Sequence, residues 1–392
     1  MFFGGTPLAW KNLTHDPRRL VVACGGVSFA VLLMYMELGF LNALLDSNVE
    51  IIRRVEADLI IVNKARFALV ASDRFPLQRL YQVRGKEGVS VYPLYLESAG
   101  AVLRRQGQKA YSIRVIAFDL DHPLLEPESV AAHKNALRSP GMALADTKSH
   151  PDYGIPADEA LLPQYQAELT GQTLRLAGKF TLCTDFGNDG NLLMSEQNFA
   201  RFFPHRDGIG GDPLSSVDLG IVKVRPDTAL ALESLKAQLR KELPGDVGVF
   251  TKQEFIDRER HFWSVSTPVG YIFLVGTVIG FVVGVIICYQ ILHADIAEHL
   301  PEFATLKAMG YGTFYFIRLV IGEGLYLSLI GFIPGAFLSY GLYLLLAYRT
   351  GLLMEFRPDV SGVVLLSTIV MCVSSGVFAL RKLLLTDPAS LF

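Results

Sequence analysis

Four long apolar runs, residues 20–45, 262–293, 319–348 and 360–380, set the plan of the chain. The first contains one charge, Glu37, and the third contains one, Glu323; the other two contain none. Each is long enough for a helix to cross the ~30 Å hydrocarbon layer. Residues 46–261, between the first and second runs, alternate polar and apolar positions in the manner of a water-compatible domain. The expected fold class is membrane α-helical, with four transmembrane helices and a large mixed α/β extracytoplasmic domain inserted between helices 1 and 2.

The first run follows Arg18 and Arg19 as a signal peptide would. It stays apolar for about 25 residues without a small-residue cleavage site, so it reads as a retained helix. Lys11, Arg18 and Arg19 place segment 1–19 in the cytoplasm, and Arg381 and Lys382 place the tail 381–392 there too, as four spans require. Loop 294–318 is then cytoplasmic, while domain 46–261 and loop 349–359 lie outside. Only residues 1–19 stand before the first run, which leads us to expect no fused nucleotide-binding domain.

Within 46–261, strand-like runs occur at Ala57–Asn63, Val89–Leu96, Tyr111–Phe118, Thr173–Phe180 and Val217–Val224. Asp227 is placed to cap a helix carrying Leu230, Leu232, Leu235 and Leu239, and Ser195 to open a short one through Gln197 and Phe199. Between about 119 and 212 the composition shifts toward Pro, Gly, His and Asp, the mark of a subdomain inserted into a core built from the flanking parts.

Composition narrows the function. Hydrophobic residues make up 51% and charged residues 19%, too apolar for an ordinary soluble chain. A net charge of -2 without a Lys/Arg block gives no footprint for nucleic acid. Cys24, Cys288 and Cys372 lie in apolar runs, leaving Cys183 alone in the outer domain, so neither an internal disulfide nor a zinc site is expected there. His122, His133, His150 and His205 are scattered, and no H-E-x-x-H or G-x-S-x-G pattern supports a membrane-anchored enzyme.

Three features bear on how the membrane part works. Thr251 and Glu254 have capping-box spacing, and the helix they open, through Phe255, Arg258 and Phe262, reads as a stalk running toward the second span. Pro268 is the place where it would bend. Gly276, Gly280 and Gly284 share one helix face and suit close helix packing, either between two copies of the chain or within one. Glu37 lies about 27 Å of helix rise past Arg19 and Glu323 about 7.5 Å past Arg318, near opposite interfaces. Local pairing fits them better than an ion relay.

The cytoplasmic loop is the sharpest clue. Pro301 is suited to start a short helix and Gly310 to end it, with Phe303, Leu306 and Met309 on an apolar side and Glu302 and Lys307 polar. The run His299-Leu300-Pro301-Glu302-Phe303-Ala304-Thr305-Leu306-Lys307-Ala308-Met309-Gly310-Tyr311 resembles the cytoplasmic loop of FtsX/MacB-type ABC transporter permeases, closest to the cyanobacterial DevC-like branch. Pro7 to Leu13, Arg18-Arg19-Leu20 and Met36 to Phe40 resemble that branch as well.

That resemblance implies a non-catalytic membrane subunit of an ABC exporter. ATP and Mg would sit on a separate ATP-binding subunit, in two copies, since this chain has no G-x-x-x-x-G-K-[ST] loop. It further implies a homodimer in the plasma (inner) membrane and transmission of ATP-driven closure to a periplasmic domain. That domain would meet a membrane fusion protein leading to an outer-membrane channel. The docking role would fall on the coupling helix, Glu302, Phe303, Ala304, Leu306, Lys307, Met309, Gly310 and Tyr311. Many relatives end in a charged Pro-x-Glu-Ala-Leu-Arg tail, whereas Asp387 to Phe392 keep only the Pro and Leu. The alternative is an FtsX-like transmembrane regulator that activates a periplasmic cell-wall hydrolase, for which the outer domain is large.

Overall fold

The computed structural model describes residues 8–105, 107, 109–206, 211–225 and 232–384. The chain divides into two compact units. One comprises Met1–Asn42, Pro268–Leu345 and Met354–Phe392; the other comprises Ala43–Thr267 and Leu346–Leu353. Helices in chain order are α1 (Leu8–His15), α2 (Pro17–Arg54), α3 (Gln78–Arg84), α4 (Pro127–Leu137), α5 (Glu196–Phe202) and α6 (Leu232–Glu242). They continue with α7 (Lys252–His261), α8 (Pro268–Glu298), α9 (Leu300–Ala308), α10 (Thr313–Thr350) and α11 (Pro358–Leu384).

The first unit is helical, and Pro17–Arg54, Pro268–Glu298, Thr313–Thr350 and Pro358–Arg381 are long and apolar enough to cross a membrane. Asp16 starts α2: its carboxylate accepts the backbone N–H groups of Arg18 (3.0 Å) and Arg19 (3.3 Å), and Pro17 follows where no N–H is needed. The core joins Val27, Val31 and Met34 of α2, Leu292 of α8, Leu327 of α10 and Met371 of α11. Cys288 and Cys372 meet within it, sulfur to sulfur at 3.5 Å.

Helix α2 does not stop at residue 45. Beyond that point Arg53 bonds Asp46 (3.0 Å) and Glu50 (3.3 Å), and Arg54 bonds Glu50 (2.7 Å). Such pairs on one helix face keep a polar stretch helical, while Val49 and Ile52 enter the core of the second unit. Helix α8 begins at Pro268 rather than at 262, because a proline is tolerated in the first turn but not deeper.

The second unit holds strands β1 (Leu59–Asn63), β2 (Phe75–Pro76), β3 (Val89–Glu97), β4 (Val102–Arg104), β5 (Ala110–Ser112), β6 (Arg114–Phe118) and β7 (Met142–Asp146). They are followed by β8 (Gln166–Leu169), β9 (Gln172–Phe180), β10 (Asn191–Ser195), β11 (Ser216–Val217), β12 (Leu219–Val224) and β13 (Val247–Thr251). Among the described residues eleven strands form one sheet in the order β13-β1-β12-β3-β6-β10-β7-β9-β8-β4-β5, and β11 pairs with β2. Both faces are covered: Leu59 and Ile61 enter one core, Ile60 and Val62 the other. That is why Leu59–Val62 of β1 are all apolar instead of alternating.

Strand β3 is the hinge of the sheet. Val89–Leu94 pair with β12 and Tyr95–Glu97 pair with β6, the change falling between Leu94 and Tyr95. The half beyond β3 is built from β4 to β10, so the inserted part starts near residue 98 instead of 119, because β4, β5 and β6 belong to it. Helix α6 carries Leu232, Leu235 and Leu239; Asp227 and Leu230 lie outside the described residues. The Ser195 side chain caps α5, accepting the Asn198 N–H at 3.2 Å.

Candidate functional site in the loop between the second and third long helices

Helix α9 is short and punctuated at both ends. Pro301 sits in its first turn. At the other end Gly310 adopts φ 95°, its N–H reaches the Lys307 carbonyl (3.1 Å) and the Tyr311 N–H reaches the Leu306 carbonyl (3.2 Å). That pair of bonds is a Schellman stop, and the positive φ is what calls for glycine. Chain reversal at Gly310 and Gly312 then feeds α10.

The apolar residues of this loop divide between two directions. Leu306 is half-buried against a small core of Ala9, Ile296, Phe316, Leu319 and Val320. Met309 is instead 63% exposed, Tyr311 44% and Phe314 78%. Glu302, Thr305 and Lys307 are exposed as well. The single apolar side read from Phe303, Leu306 and Met309 is therefore split: Leu306 seats the helix and Met309 faces out. The side chains of Phe303 and Ala304 are outside those the structure describes, as is the tail Asp387–Phe392.

Polar contacts fix the ends of the surrounding helices. Asn12 of α1 donates to Glu323 of α10 (3.0 Å), Trp10 packs edge-on against Tyr326 with ring centres 5.4 Å apart, and Arg19 pairs with Glu298. A cavity of about 150 Å³ lies between α1, the start of α2, the end of α8 and α9, with His15, Asp295 and Glu302 on its wall. Sequence reading missed α1 as an element; Ala9 and Leu13, four residues apart and both buried, were the available signal.

Gly276, Gly280 and Gly284 all turn to neighbours in the same chain. A Cβ at Gly276 would meet the Glu37 carboxylate, one at Gly280 would contact Leu33 Cβ at 3.4 Å, and one at Gly284 would stand 2.8 Å from Ala30 Cβ. This ridge is where α2 and α8 approach within one copy of the chain. The Glu37 carboxylate owes its room to the missing side chain of Gly276.

The stalk residues form the expected capping box: the Thr251 hydroxyl accepts the Glu254 N–H (3.1 Å) and Glu254 accepts the Thr251 N–H (2.9 Å). Phe255 is fully buried, the Arg258 guanidinium lies 5.0 Å above the Phe250 ring, and Phe262 packs against Phe67 at 5.2 Å between centres. A continuous stalk is nevertheless corrected. Helix α7 ends at His261, Phe262–Ser266 form one π-helical turn, and Thr267 is extended (φ -107°, ψ 145°). The residue before a proline is pushed out of the helical region, and Pro268 has that effect on Thr267.

Sequence gave no hint of a charge network in the second unit. Asp218 accepts the Leu96 N–H (2.8 Å) and pairs with Arg66 (3.1 Å), Arg74 (3.4 Å) and Arg206, all of them buried or nearly so. Glu97 adds a bond from Arg74 at 2.5 Å. Buried charges persist only when paired this densely.

Comparison with known proteins bears on the last third of the chain. Residues 262–388 match the family model described as FtsX-like permease C-terminal. No curated protein matches the chain. Among solved structures, the periplasmic region of MacB from Actinobacillus actinomycetemcomitans aligns at 15% identity and TM-score 0.34, covering 52% of this chain and 94% of that one. The extracellular domain of the noncanonic ABC-type transporter YknZ from Gram-positive bacteria aligns at 10% identity and TM-score 0.31, covering 50% and 99%. The segment that holds α8, the α9 loop, α10 and α11 therefore matches the FtsX-like permeases.

Proposed function

We propose that this chain is the membrane subunit of an ABC exporter and that the α9 loop is where a separate ATP-binding subunit docks. The observation that carries the reading is the exposed cluster of Met309, Tyr311 and Phe314 beside a helix stopped at Gly310, inside the segment that matches FtsX-like permeases. Three large apolar side chains facing out at the end of a loop mark an interaction surface, for a protein or for the membrane, and the match of this segment to FtsX-like permeases favours a protein.

In this reading both termini and the α9 loop are cytoplasmic, and the mixed α/β unit is periplasmic. Two copies pair with two ATP-binding subunits, which hold ATP and Mg. Closure of those subunits drives export through a membrane fusion protein and an outer-membrane channel. Glu302 and Lys307 would frame the docking surface with one charge of each sign, while Leu306 holds α9 in its seat.

The test is co-reconstitution with the ATP-binding subunit in proteoliposomes. The parent chain should stimulate ATP hydrolysis, and Met309→Asp combined with Tyr311→Asp should abolish the stimulation while insertion and melting temperature are kept. Leu306→Asp should lower the melting temperature too, because it strikes the seat of the helix. Undiminished stimulation in the double variant would remove the docking assignment.

A further inference from the structure

The second unit contains a cleft that the coupling reading does not use. It lies beside β3, at the place where that strand exchanges one neighbour for another. Leu96 sends its N–H to Asp218, on the β12 side. By the alternation of an antiparallel ladder, Tyr95, Pro93 and Val91 turn their backbone groups to the other side. There Tyr95 meets Ala117 of β6, but among the described residues no strand continues along Val89–Pro93. The chain leaves β6 at Phe118, and Asp119 and His122 line the same cavity as this edge.

The open edge is rich in acceptors. Pro93 has no N–H to offer, and the Val89 N–H is taken by the Lys86 carbonyl (3.3 Å). Val91 keeps a donor, yet the carbonyls of Val89, Val91 and Pro93 outnumber it. A cavity of about 540 Å³ opens against this edge, within the range of small-ligand sites. Tyr81, Tyr92 and Tyr95 give it aromatic walls, and the Tyr92 ring lies 4.9 Å from that of His122.

Its charge is one-sided: among the described residues Asp119, Glu196 and Asp212 line the cavity against Arg84, with His122 beside Asp119. Asp119 is held by His122 (2.9 Å). Glu196 meets the neighbouring Gln197 amide (3.3 Å), and Asp212 accepts the Leu214 N–H (2.9 Å). Burial, with Asp119 nearby, raises the Glu196 carboxyl above the usual range, a cost that an incoming cation would relieve.

We propose that this cleft binds an organic cation bearing hydrogen-bond donors, an ammonium or guanidinium group carried on an apolar body. The donors satisfy the β3 carbonyls and the carboxylates of Glu196 and Asp212. The tyrosine faces take the cation and its apolar stem. The proposal is independent of where the ATP-binding subunit docks.

The experiment uses the full chain in phosphatidylcholine nanodiscs and fluorescence anisotropy of a neutral-dye-labelled Arg-Val-Arg-Val peptide. Binding is expected, with displacement by excess benzylguanidine and none of the Glu-Val-Glu-Val counterpart. Glu196→Gln combined with Asp212→Asn should weaken binding by about tenfold or more, the loss of charge-assisted bonds, at an unchanged melting temperature. Equal binding of the acidic peptide, failure of benzylguanidine to displace, or unchanged affinity in the well-folded double variant would each overturn the proposal.

Discussion

Asn12 and Glu323 stand 311 positions apart in the chain and share a hydrogen bond of 3.0 Å, with Glu323 only 1% exposed. The other Glu323 oxygen has no hydrogen-bond partner among the described residues. Asn12 therefore satisfies one oxygen of this carboxyl, and it ties α1 to α10. Asn12→Ala should lower stability by about 1–3 kcal/mol, the cost of stranding a buried polar group. Asn12→Ala combined with Glu323→Leu should recover most of that loss. Thermal melting in detergent checks both, and an unchanged melting temperature in Asn12→Ala would show that the bond carries no weight.

The glycine ridge of α8 supplies a graded prediction. At Gly276 the obstacle to a methyl group is the carboxylate end of Glu37, which can swing aside. At Gly284 it is Ala30 Cβ at 2.8 Å together with Met371, both wholly buried. Gly284→Ala should therefore destabilise the helical unit by about 1–3 kcal/mol, the usual range for overpacking, and Gly276→Ala by less. Equal melting temperatures for the two variants would mean that these helices adjust freely.

Legibility in the sequence followed the physics of each element. The runs Ala57–Asn63, Val89–Leu96 and Thr173–Phe180 showed strand patterning and became β1, β3 and β9. Strands β7 and β10 did not stand out: Met142–Asp146 and Asn191–Ser195 are five residues each and buried on both faces, so no polar alternation marks them. The insertion boundary was misplaced for a related reason. Composition changes at Asp119, whereas pairing changes between Leu94 and Tyr95, and a single sequence shows the first but not the second. In the candidate site, the stop at Gly310 was readable because only glycine suits φ 95°. The outward turn of Met309 was not, since it depends on Leu306 filling the seat formed by Ile296 and Phe316.

Glu259 gives a pH-dependent prediction with a definite sign. It lies on α7, fully buried, and burial pushes its carboxyl up to about 7 despite the nearby cations Arg258 and Arg66. In the unfolded chain the same group titrates near 4.5. The folded state thus holds the proton more tightly, so its stability from this group is fully present below pH 4.5 and is lost as pH rises through 7. Above that point the buried charge costs on the order of 3 kcal/mol. Glu259→Gln keeps the shape without the charge. It should melt higher than the parent at pH 8 and flatten the decline between pH 5 and pH 7, in the window the two titrations define. Melting curves across that range decide the matter: a variant that parallels the parent at every pH would show that Glu259 is ionised in the fold, compensated by Arg258 and Arg66.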